Sequence, residues 1–338
     1  MATFESDPLD LHWKGSSGVS DKTTDVPLTS DQPLRIASIT KTYVATTILR
    51  LMELGKLKLD DSIDHHLPEH QLQILRDGGY QPTEISIRHL LTQTSGIRDY
   101  AMTENFAKAV HSDTQKRWTR EEQLQFSINE GAPIGKAGEY YHYSDSGYIL
   151  LGEIIEQRSG MGLAAALRSL LKFDDLGLKV TWLETLEPSP AAVPARTHQY
   201  WNGKDINSWD PSFDLYGGGG LVANMPDVAG FYSALLGNKI FENPRTLAVM
   251  LTSLIPDYGG PFTQPGSGSQ YSMGIVVKEY RGFTMFEHGG FWGIYGFYIP
   301  ALKLSVGMAI TEQTAFGKMA DLREALLDVL IDTKEIKQ

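Results

Sequence analysis

The stretch RIASITKTYVATTILRLMELGKL, residues 35–57, has apolar residues at helical spacing on one side and polar residues on the other. The apolar side is Val44, Ile48, Leu51 and Met52, and the opposite side is Thr42, Thr46, Arg50 and Glu53. Periodicity of this kind predicts an amphipathic helix. We expect the helix to begin at Ser38, a residue type common at helix starts, and to end at Gly55.

Ser38 and Lys41 lie three positions apart and therefore share one face of the predicted helix. Ser38 would lie beside the unpaired backbone N–H groups of the helix start, which stabilise negative charge developing on an oxygen. A partly desolvated lysine amine beside it can accept or relay its proton. The competing interpretation is a serine that merely caps a helix. The spacing alone is weak evidence, because Ser169 and Lys172 repeat it late in another helical stretch.

The two ends of the chain carry strand patterns, whereas the middle is helical. Strands are expected at 2–6 and 11–14, around an Asp-Pro turn, and at 272–279, 283–287, 294–300 and 304–310. Helices are expected at 86–92, 147–158, 226–236 and, after the last strand, 319–331. Short turns between the late strands favour an antiparallel meander.

This order of elements predicts an α+β fold, in which an antiparallel β-sheet is flanked by helices and joined to a mostly helical subdomain. No repeat or low-complexity linker divides the sequence, so we expect a single catalytic domain over residues 1–338. The sheet subdomain would take about 1–35 and 265–338, and the helical subdomain about 36–264.

The composition excludes several classes of function. With 30 basic and 41 acidic side chains, the formal net charge is −11 and no run of Lys or Arg is present. Nucleic acids and anionic membranes are therefore not expected as partners. The absence of cysteine rules out thiolate nucleophiles and disulfides. No segment has the roughly 18 apolar residues of a membrane span. We expect a cytoplasmic protein if the start is native, and a periplasmic or secreted one if a leader was removed.

A second motif lies in YYHYSDSGYILLGEIIEQRSG, residues 140–160, where Tyr143 and Asp145 directly precede a predicted helix. The Tyr143 phenol could serve as a base if Lys41 and a second cation favoured its phenolate form. The alternative is that Asp145 caps the helix and Tyr143 only packs. A rival Tyr-x-Asn at Tyr200 has no helix behind it and ranks lower.

A third motif lies in FEHGGFWGIYGF, residues 286–297, where His288 ends one predicted strand and precedes two glycines. Gly289 and Gly290 have no side chains, which would let a substrate backbone lie along the strand edge. The Phe291 backbone N–H would then face the nucleophile as a second oxyanion donor. A hairpin turn with an incidental histidine is the plainer interpretation of this piece alone.

The three motifs in this order resemble those of the serine β-lactamase and penicillin-binding-protein superfamily. The resemblance covers nearly the whole chain and is greatest to the branch of class C β-lactamases, D-Ala-D-Ala carboxypeptidases and family VIII esterases. Members of that branch have sequence segments similar to RIASITK, LLTQTSGI, YSDSGYILLGEIIE, GGGGLVANMPDVAGF and HGGFWGIYGF. Several long matches in order are far more specific than a single motif.

The resemblance implies a serine hydrolase that forms a covalent acyl-enzyme with a small-molecule or peptide substrate and uses no cofactor and no metal. Ser38 would be the nucleophile, and Lys41 and Tyr143 would transfer protons. The backbone amides of Ser38 and Phe291 would form the oxyanion hole. The alternative is a catalytically weak or inactive member that binds peptides or partners through the same cleft.

The resemblance also implies a set of substrate-binding positions, namely Asp145, His288, Gly289, Gly290 and Trp292. Asp145 stands where the family usually has Asn, so an acceptor remains, an amide donor is lost, and a charge that can pair with Lys41 is gained. His288 is a weaker cation for a substrate carboxylate than Lys. Both departures favour D-amino-acid peptides, their amides and small esters over β-lactams.

Patterns of other enzyme classes are weak in this sequence or do not occur in it. The segment His66-Leu67-Pro68-Glu69-His70 matches an inverted zinc-peptidase pattern, but Pro68 would break the helical turn that such a site needs. No Gly-x-Ser-x-Gly elbow, dinucleotide-binding motif or phosphate loop occurs in the sequence. A metal site is therefore not expected.

Overall fold

A computed structural model describes residues 1–252 and 269–333. The strands are β1 Ala2–Ser6, β2 Leu11–Gly15, β3 Leu34–Arg35, β4 Trp182–Leu183, β5 Tyr200–Trp201, β6 Lys204–Asp205, β7 Leu221–Ala223, β8 Gln270–Tyr271, β9 Val276–Tyr280, β10 Phe283–Gly290, β11 Ile294–Ile299 and β12 Leu304–Ala309. The helices are α1 Thr40–Glu53, α2 Glu69–Asp77, α3 Ile87–Leu91, α4 Glu104–Ser112, α5 Arg120–Asn129, α6 Asp145–Ser159, α7 Leu163–Leu170, α8 Met225–Leu236, α9 Pro244–Thr252 and α10 Met319–Thr333.

The main sheet has seven strands in the order β2-β1-β12-β11-β10-β9-β8, and its neighbours are antiparallel. The hairpin predicted at the start of the chain is present, and it extends the late meander because Ala2 pairs with Met308. The α+β class is therefore confirmed. Among the described residues, no helix is long and apolar enough to cross a membrane.

The two faces of the sheet carry different side chains because successive strand residues point to opposite sides. On one face, large apolar residues such as Phe297 and Val306 pack with α10. On the other face, Gly296 and Gly307 lie directly opposite each other in the β11–β12 register. These two glycines give a flat surface on which α8 packs close to the strands.

The helices of the middle of the chain pack around α1 and α6, which contact each other. Helix α6 ends before Gly160, as predicted, and α3 begins at the capping residue Ser86. Helix α8 falls within the range expected for a helical subdomain, yet it contacts β11 and β12 of the sheet. The proposed division into sheet and helical subdomains stays a prediction.

Helix α1 differs from its prediction in two respects. It begins at Thr40, and Ser38 lies just before it in the short 3-10 turn Ala37–Ile39. Its polar side is not a solvent face, since Thr42 and Thr46 are buried. Both hydroxyls are satisfied, because Thr42 Oγ1 donates to the Gly274 carbonyl at 2.7 Å and Thr46 Oγ1 to the Thr42 carbonyl at 2.7 Å. Local hydrogen bonds of this kind let a polar helix side be buried.

The prediction of a strand at 272–279 is wrong for the first half of that range. A turn occupies that part, with the Ser272 N–H donating to the Ile275 carbonyl at 2.8 Å, and β9 begins only at Val276. Gly274 has a φ of +70°, a backbone conformation that other residues rarely adopt. A single glycine inside an apolar run was the signal for this break.

The close contact between α8 and the sheet gives a stability prediction. A Cβ on residue 307 would lie 2.4 Å from the Met225 carbonyl oxygen, which is backbone and cannot rotate away. We expect Gly307→Ala to lower the free energy of unfolding by about 1–3 kcal/mol, because overpacking would push α8 off the sheet. Gly317→Ala is the control, since a Cβ there meets nothing within 4 Å. Urea unfolding measures both variants, and equal losses would contradict this account of the packing.

Candidate active site

Ser38 is held in a strained turn between β3 and α1. The preceding residue, Ala37, has a φ of +47°, which is unusual for a residue with a Cβ. Strand β10 presses on this turn from the other side, and a Cβ on Gly290 would lie 2.4 Å from the Ile36 carbonyl oxygen. Gly290 is therefore needed for the close approach of β10 to the serine turn. Strain of this kind persists when the surrounding packing imposes it.

Lys41 is fully buried, and its Nζ contacts three acceptors. Ser38 Oγ lies at 3.0 Å, the Gly218 carbonyl oxygen at 2.6 Å, and Asp145 Oδ1 forms an ion pair with it. The ion pair between Lys41 and Asp145 that we expected from the sequence is thus present. Two N–H bonds of the ammonium therefore have hydrogen-bond acceptors, and the Asp145 carboxylate lies beside the group as its charge partner.

Tyr143 lies two residues before α6, and its phenol interacts with the Ser38 side chain. The Lys41 Nζ lies 4.9 Å from the centre of the Tyr143 ring. Burial, followed by the nearby Asp145 carboxylate, raises the pKa of Tyr143 well above its usual value. This direction disfavours the phenolate form that we considered for Tyr143, because desolvation and a like charge are its two largest causes. Tyr143 is a neutral phenol that can donate a proton.

The rival motifs do not form comparable sites. Ser169 is exposed, and Lys172 Nζ contacts Glu242 at 2.9 Å on the surface. The Tyr200 hydroxyl accepts a hydrogen bond from the Lys22 backbone N–H at 2.8 Å.

The two histidines of the zinc-like segment have separate partners. His66 faces Asp61 at 3.3 Å, whereas His70 pairs with Glu121 at 3.1 Å. Within residues 1–252 and 269–333, no group of three or more metal-ligating side chains is found.

His288 is fully buried at the end of β10 and holds a fixed tautomer. Its Nδ1 donates to the Gly289 carbonyl oxygen at 2.7 Å, and its Nε2 accepts from the Tyr271 hydroxyl at 3.3 Å. Burial, followed by the charge of Lys41, lowers the pKa of His288 to about 3. His288 is therefore neutral at physiological pH and cannot supply a cation for a substrate carboxylate.

A cavity of about 320 Å³ lies at Ser38, and most of its wall is apolar or aromatic. Its lining residues are Ser38, Ala101, Met102, Phe106, Tyr143, Asp145, Trp201, Phe213, Asp214, Phe291, Trp292, Gln313 and Phe316. The wall thus includes Phe291 and Trp292, as expected from the sequence. His288, Gly289 and Gly290 are buried and are not among the described lining residues, so their contact with substrate stays a prediction.

Asp214 is a cavity residue that the sequence analysis missed. It ends the 3-10 turn Pro211–Asp214, and one of its oxygens accepts a hydrogen bond from Trp292 Nε1 at 2.8 Å. Burial, followed by the charge of Asp145, raises the pKa of Asp214 to about 6. Its position just before the glycine run 217–220, which belongs to one of the matching stretches, was the available signal.

Asp99 is a second missed carboxyl group, and it acts behind the wall. It accepts the backbone N–H of Asp145 at 2.8 Å and that of Met102 at 2.8 Å. Burial, followed by the charge of Asp145, raises the pKa of Asp99 to about 7. Asp99 therefore ties the start of α6 to the loop that carries Met102. No motif marks it, because its contact with Asp145 joins segments 46 residues apart in the chain.

A family model described as Beta-lactamase matches residues 8–331. The chain belongs to the β-lactamase family. Together with the buried Ser38–Lys41 pair, this membership makes it a serine hydrolase of the class that cleaves amide or ester bonds. The resemblance drawn from the sequence is therefore confirmed.

Named relatives of this β-lactamase-family chain include esterases and penicillin-binding proteins. Esterase EstB of Burkholderia gladioli is 28% identical over 354 residues, which cover 95% of this chain and 88% of EstB. Penicillin-binding protein 4* of Bacillus subtilis (strain 168) is 30% identical over 192 residues, which cover 56% of this chain and 39% of that protein. A structure of D-amino acid amidase from Ochrobactrum anthropi SV3 superposes with a TM-score of 0.81 at 22% identity, covering 98% of this chain and 94% of that one.

The buried Asp214 gives a pH prediction. Because its pKa is raised from 3.8 to about 6 in the folded protein, the folded state binds more protons than the unfolded state between these values. Its contribution to stability is therefore present below about pH 4 and is lost as the pH rises through about 6. We expect the free energy of unfolding of Asp214→Asn to rise by about 1–3 kcal/mol relative to wild type between about pH 4 and pH 7.

Urea unfolding at several pH values measures this gain. Asp175→Asn, which changes an exposed side chain, is the control. Its free energy of unfolding should depend on pH in the same way as that of the wild type. If the Asp214→Asn curve also ran parallel to wild type, Asp214 would not be a buried, charge-strained group.

Proposed function

We propose that Ser38 is the nucleophile of this serine hydrolase and that an ester or amide substrate acylates its Oγ. The observation that carries the proposal is Lys41 Nζ at 3.0 Å from Ser38 Oγ, beside a cavity of about 320 Å³. Ser38 Oγ attacks the carbonyl carbon, the bond to the leaving group breaks, and water then hydrolyses the acyl-enzyme. The Ser38 and Phe291 backbone amides are the proposed donors to the oxyanion.

The hydrogen bonds of Lys41 limit how the proton of Ser38 can leave. Lys41 Nζ donates to Ser38 Oγ and to the Gly218 carbonyl and is paired with Asp145, so as an ammonium it must lose a proton before it can accept one. Asp145, already in contact with Nζ, is the nearest group that can take that proton. The Lys41–Asp145 pair therefore receives the Ser38 proton, and the Tyr143 phenol donates one to the leaving group. Tyr143 regains its proton from the pair.

The charge of the cavity favours substrates without a carboxylate. Its described wall has two carboxyl groups, Asp145 and Asp214, and no Lys, Arg or His. His288, the residue at the position of the family's cation, is neutral. A β-lactam or a peptide ending in D-alanine carries a carboxylate that would meet like charge here. Neutral or amine-bearing esters and amides fit the electrostatics better.

The names of the relatives agree with this choice without deciding it. EstB is named as an esterase, and the Ochrobactrum anthropi protein is named as a D-amino acid amidase. Neither name requires a carboxylate beside the bond that is cleaved. We therefore place small esters and amino-acid amides above β-lactams as substrates of this chain.

Covalent labelling tests the nucleophile and its proton donor. A fluorophosphonate should add one adduct to the wild-type protein in an intact-mass measurement, and Ser38→Ala should stay unlabelled. Tyr143→Phe should keep the fold but turn over an ethyl ester at least about 10² more slowly, because an alkoxide needs a proton in order to leave and the proton donor is gone. An unlabelled wild type without esterase activity would support the alternative of an inactive member that binds partners through the cleft.

Asp145→Asn tests whether position 145 affects substrate choice. The change restores an amide donor and removes one negative charge from the cavity, and both effects favour β-lactams. We expect the turnover of nitrocefin relative to p-nitrophenyl butyrate to rise roughly tenfold, as one hydrogen bond of about 1.4 kcal/mol can supply. A general effect on Lys41 or on stability would move both substrates together and cancel in the ratio. A ratio that stays constant, or shifts towards the ester, would show that Asp145 serves only Lys41.

A further inference from the structure

Asp214 is placed to contact a substrate directly. It lines the same cavity as Ser38, and the hydrogen bond that the structure shows for its side chain comes from Trp292 Nε1 at 2.8 Å. Trp292 leaves the rest of the carboxylate's acceptor capacity unused, because a carboxylate has about four acceptor sites on its two oxygens. The side chain also keeps part of its surface accessible, although the group lies deep in the protein. Asp214 Oδ1 packs beside Gly219, and the accessible part of the side chain borders the cavity.

Among the described residues, no cation contacts the Asp214 carboxylate directly, although the charges of Lys41 and Arg35 act on it from a distance. Three carboxyl groups, on Asp99, Asp145 and Asp214, surround the single ammonium of Lys41, which pairs directly with Asp145. Asp99 is stabilised by two backbone N–H groups. Asp214 has no direct ion pair among residues 1–252 and 269–333. A buried carboxylate without a counter-ion is unfavourable, and a bound cation would relieve this cost.

The surroundings of Asp214 suit an ammonium group that carries an apolar substituent. Trp292 is flanked by Phe291, Phe213 and Trp201, at ring-centre distances of 4.8, 6.0 and 5.6 Å. Aromatic faces attract cations and also bury apolar groups. A cavity of about 320 Å³ has room for a substituent the size of a benzyl group.

We propose that Asp214 binds the ammonium group of the substrate's acyl part, and that the enzyme prefers esters or amides of amino acids with a free α-amine and an aromatic or bulky apolar side chain. Carboxylate and ammonium form a charge-assisted hydrogen bond at the cavity wall, while the aromatic residues receive the side chain. This inference rests on the proposed function, since it assigns the acyl group that Ser38 receives.

The competing role for Asp214 is purely structural, namely holding the Trp292 indole in place. Asp214→Asn separates the two roles. An asparagine keeps an oxygen of similar position that can accept the Trp292 N–H, but it carries no charge for an ammonium. Asp175→Asn is the matched control, because it removes one negative charge from an exposed site outside the cavity.

The experiment compares phenylalanine ethyl ester, as each enantiomer, with ethyl 3-phenylpropanoate, which has the same skeleton without the amine. The assay is run at about pH 7, where an α-amine is largely protonated. The readout is the ratio of kcat/KM for the faster amino ester to kcat/KM for the ester without the amine. We expect this ratio to favour the amino ester in the wild type and in Asp175→Asn, and to fall at least about tenfold in Asp214→Asn.

A ratio that is the same in Asp214→Asn and in the wild type would overturn the proposal, even though Ser38 still turns over both esters. Failure of the wild type to turn over any ester would instead overturn the proposed function. A second measurement needs no variant: 2-phenylethylamine should inhibit wild-type hydrolysis of ethyl 3-phenylpropanoate at a concentration at least about tenfold lower than 2-phenylethanol does. Equal inhibition by the amine and the alcohol would also overturn the assignment of Asp214.

Discussion

The buried ammonium of Lys41 is the interaction on which the arrangement of this site depends. Taking a lysine out of water is costly unless its charge is paired and its donors are satisfied. Its acceptors, Ser38 Oγ, the Gly218 carbonyl and Asp145, come from three segments that are distant in the chain. Satisfying one side chain therefore brings together the serine turn, the start of α6 and the glycine run. The geometry that places Ser38 beside Lys41 is the same geometry that makes burial of Lys41 tolerable.

Pairing Lys41 with Asp145 leaves an excess of negative charge around the site. Asp145 balances Lys41, whereas the raised pKa values of Asp99 and Asp214, about 7 and about 6, show two further carboxyl groups held in an unfavourable environment. Backbone N–H groups stabilise Asp99 without neutralising it. The chain thus keeps a strained charge at the wall of its cavity, as active sites commonly do. A cationic substrate group would remove that strain, so the cost to folding can become a gain on binding.

Elements with a strong local signal could be predicted from the sequence. The first hairpin, α6 and α10 follow turn residues, an ending glycine and apolar periodicity, and each lies within a few residues of its expected range. The burial of the polar side of α1 could not be predicted, because the Thr42 hydroxyl donates its hydrogen bond to the Gly274 carbonyl, more than two hundred residues away. Ser38, Lys41 and Tyr143 could be found as motifs, whereas Asp99 and Asp214 could not. Their roles come from contacts between loops, and these leave no periodic trace in the sequence.

The neutral state of His288 shows why a motif predicts chemistry better than it predicts substrate. The residue type is compatible with a cation, but Tyr271, the Gly289 carbonyl and burial fix one uncharged tautomer. At position 145, a carboxylate stands where the family usually has an amide, and it binds Lys41. The packing around Lys41 fixes its geometry with Ser38, whatever charge the cavity presents to a substrate. The charge offered to a substrate depends instead on His288, Asp145 and Asp214, so it can change within the family while the catalytic geometry stays the same.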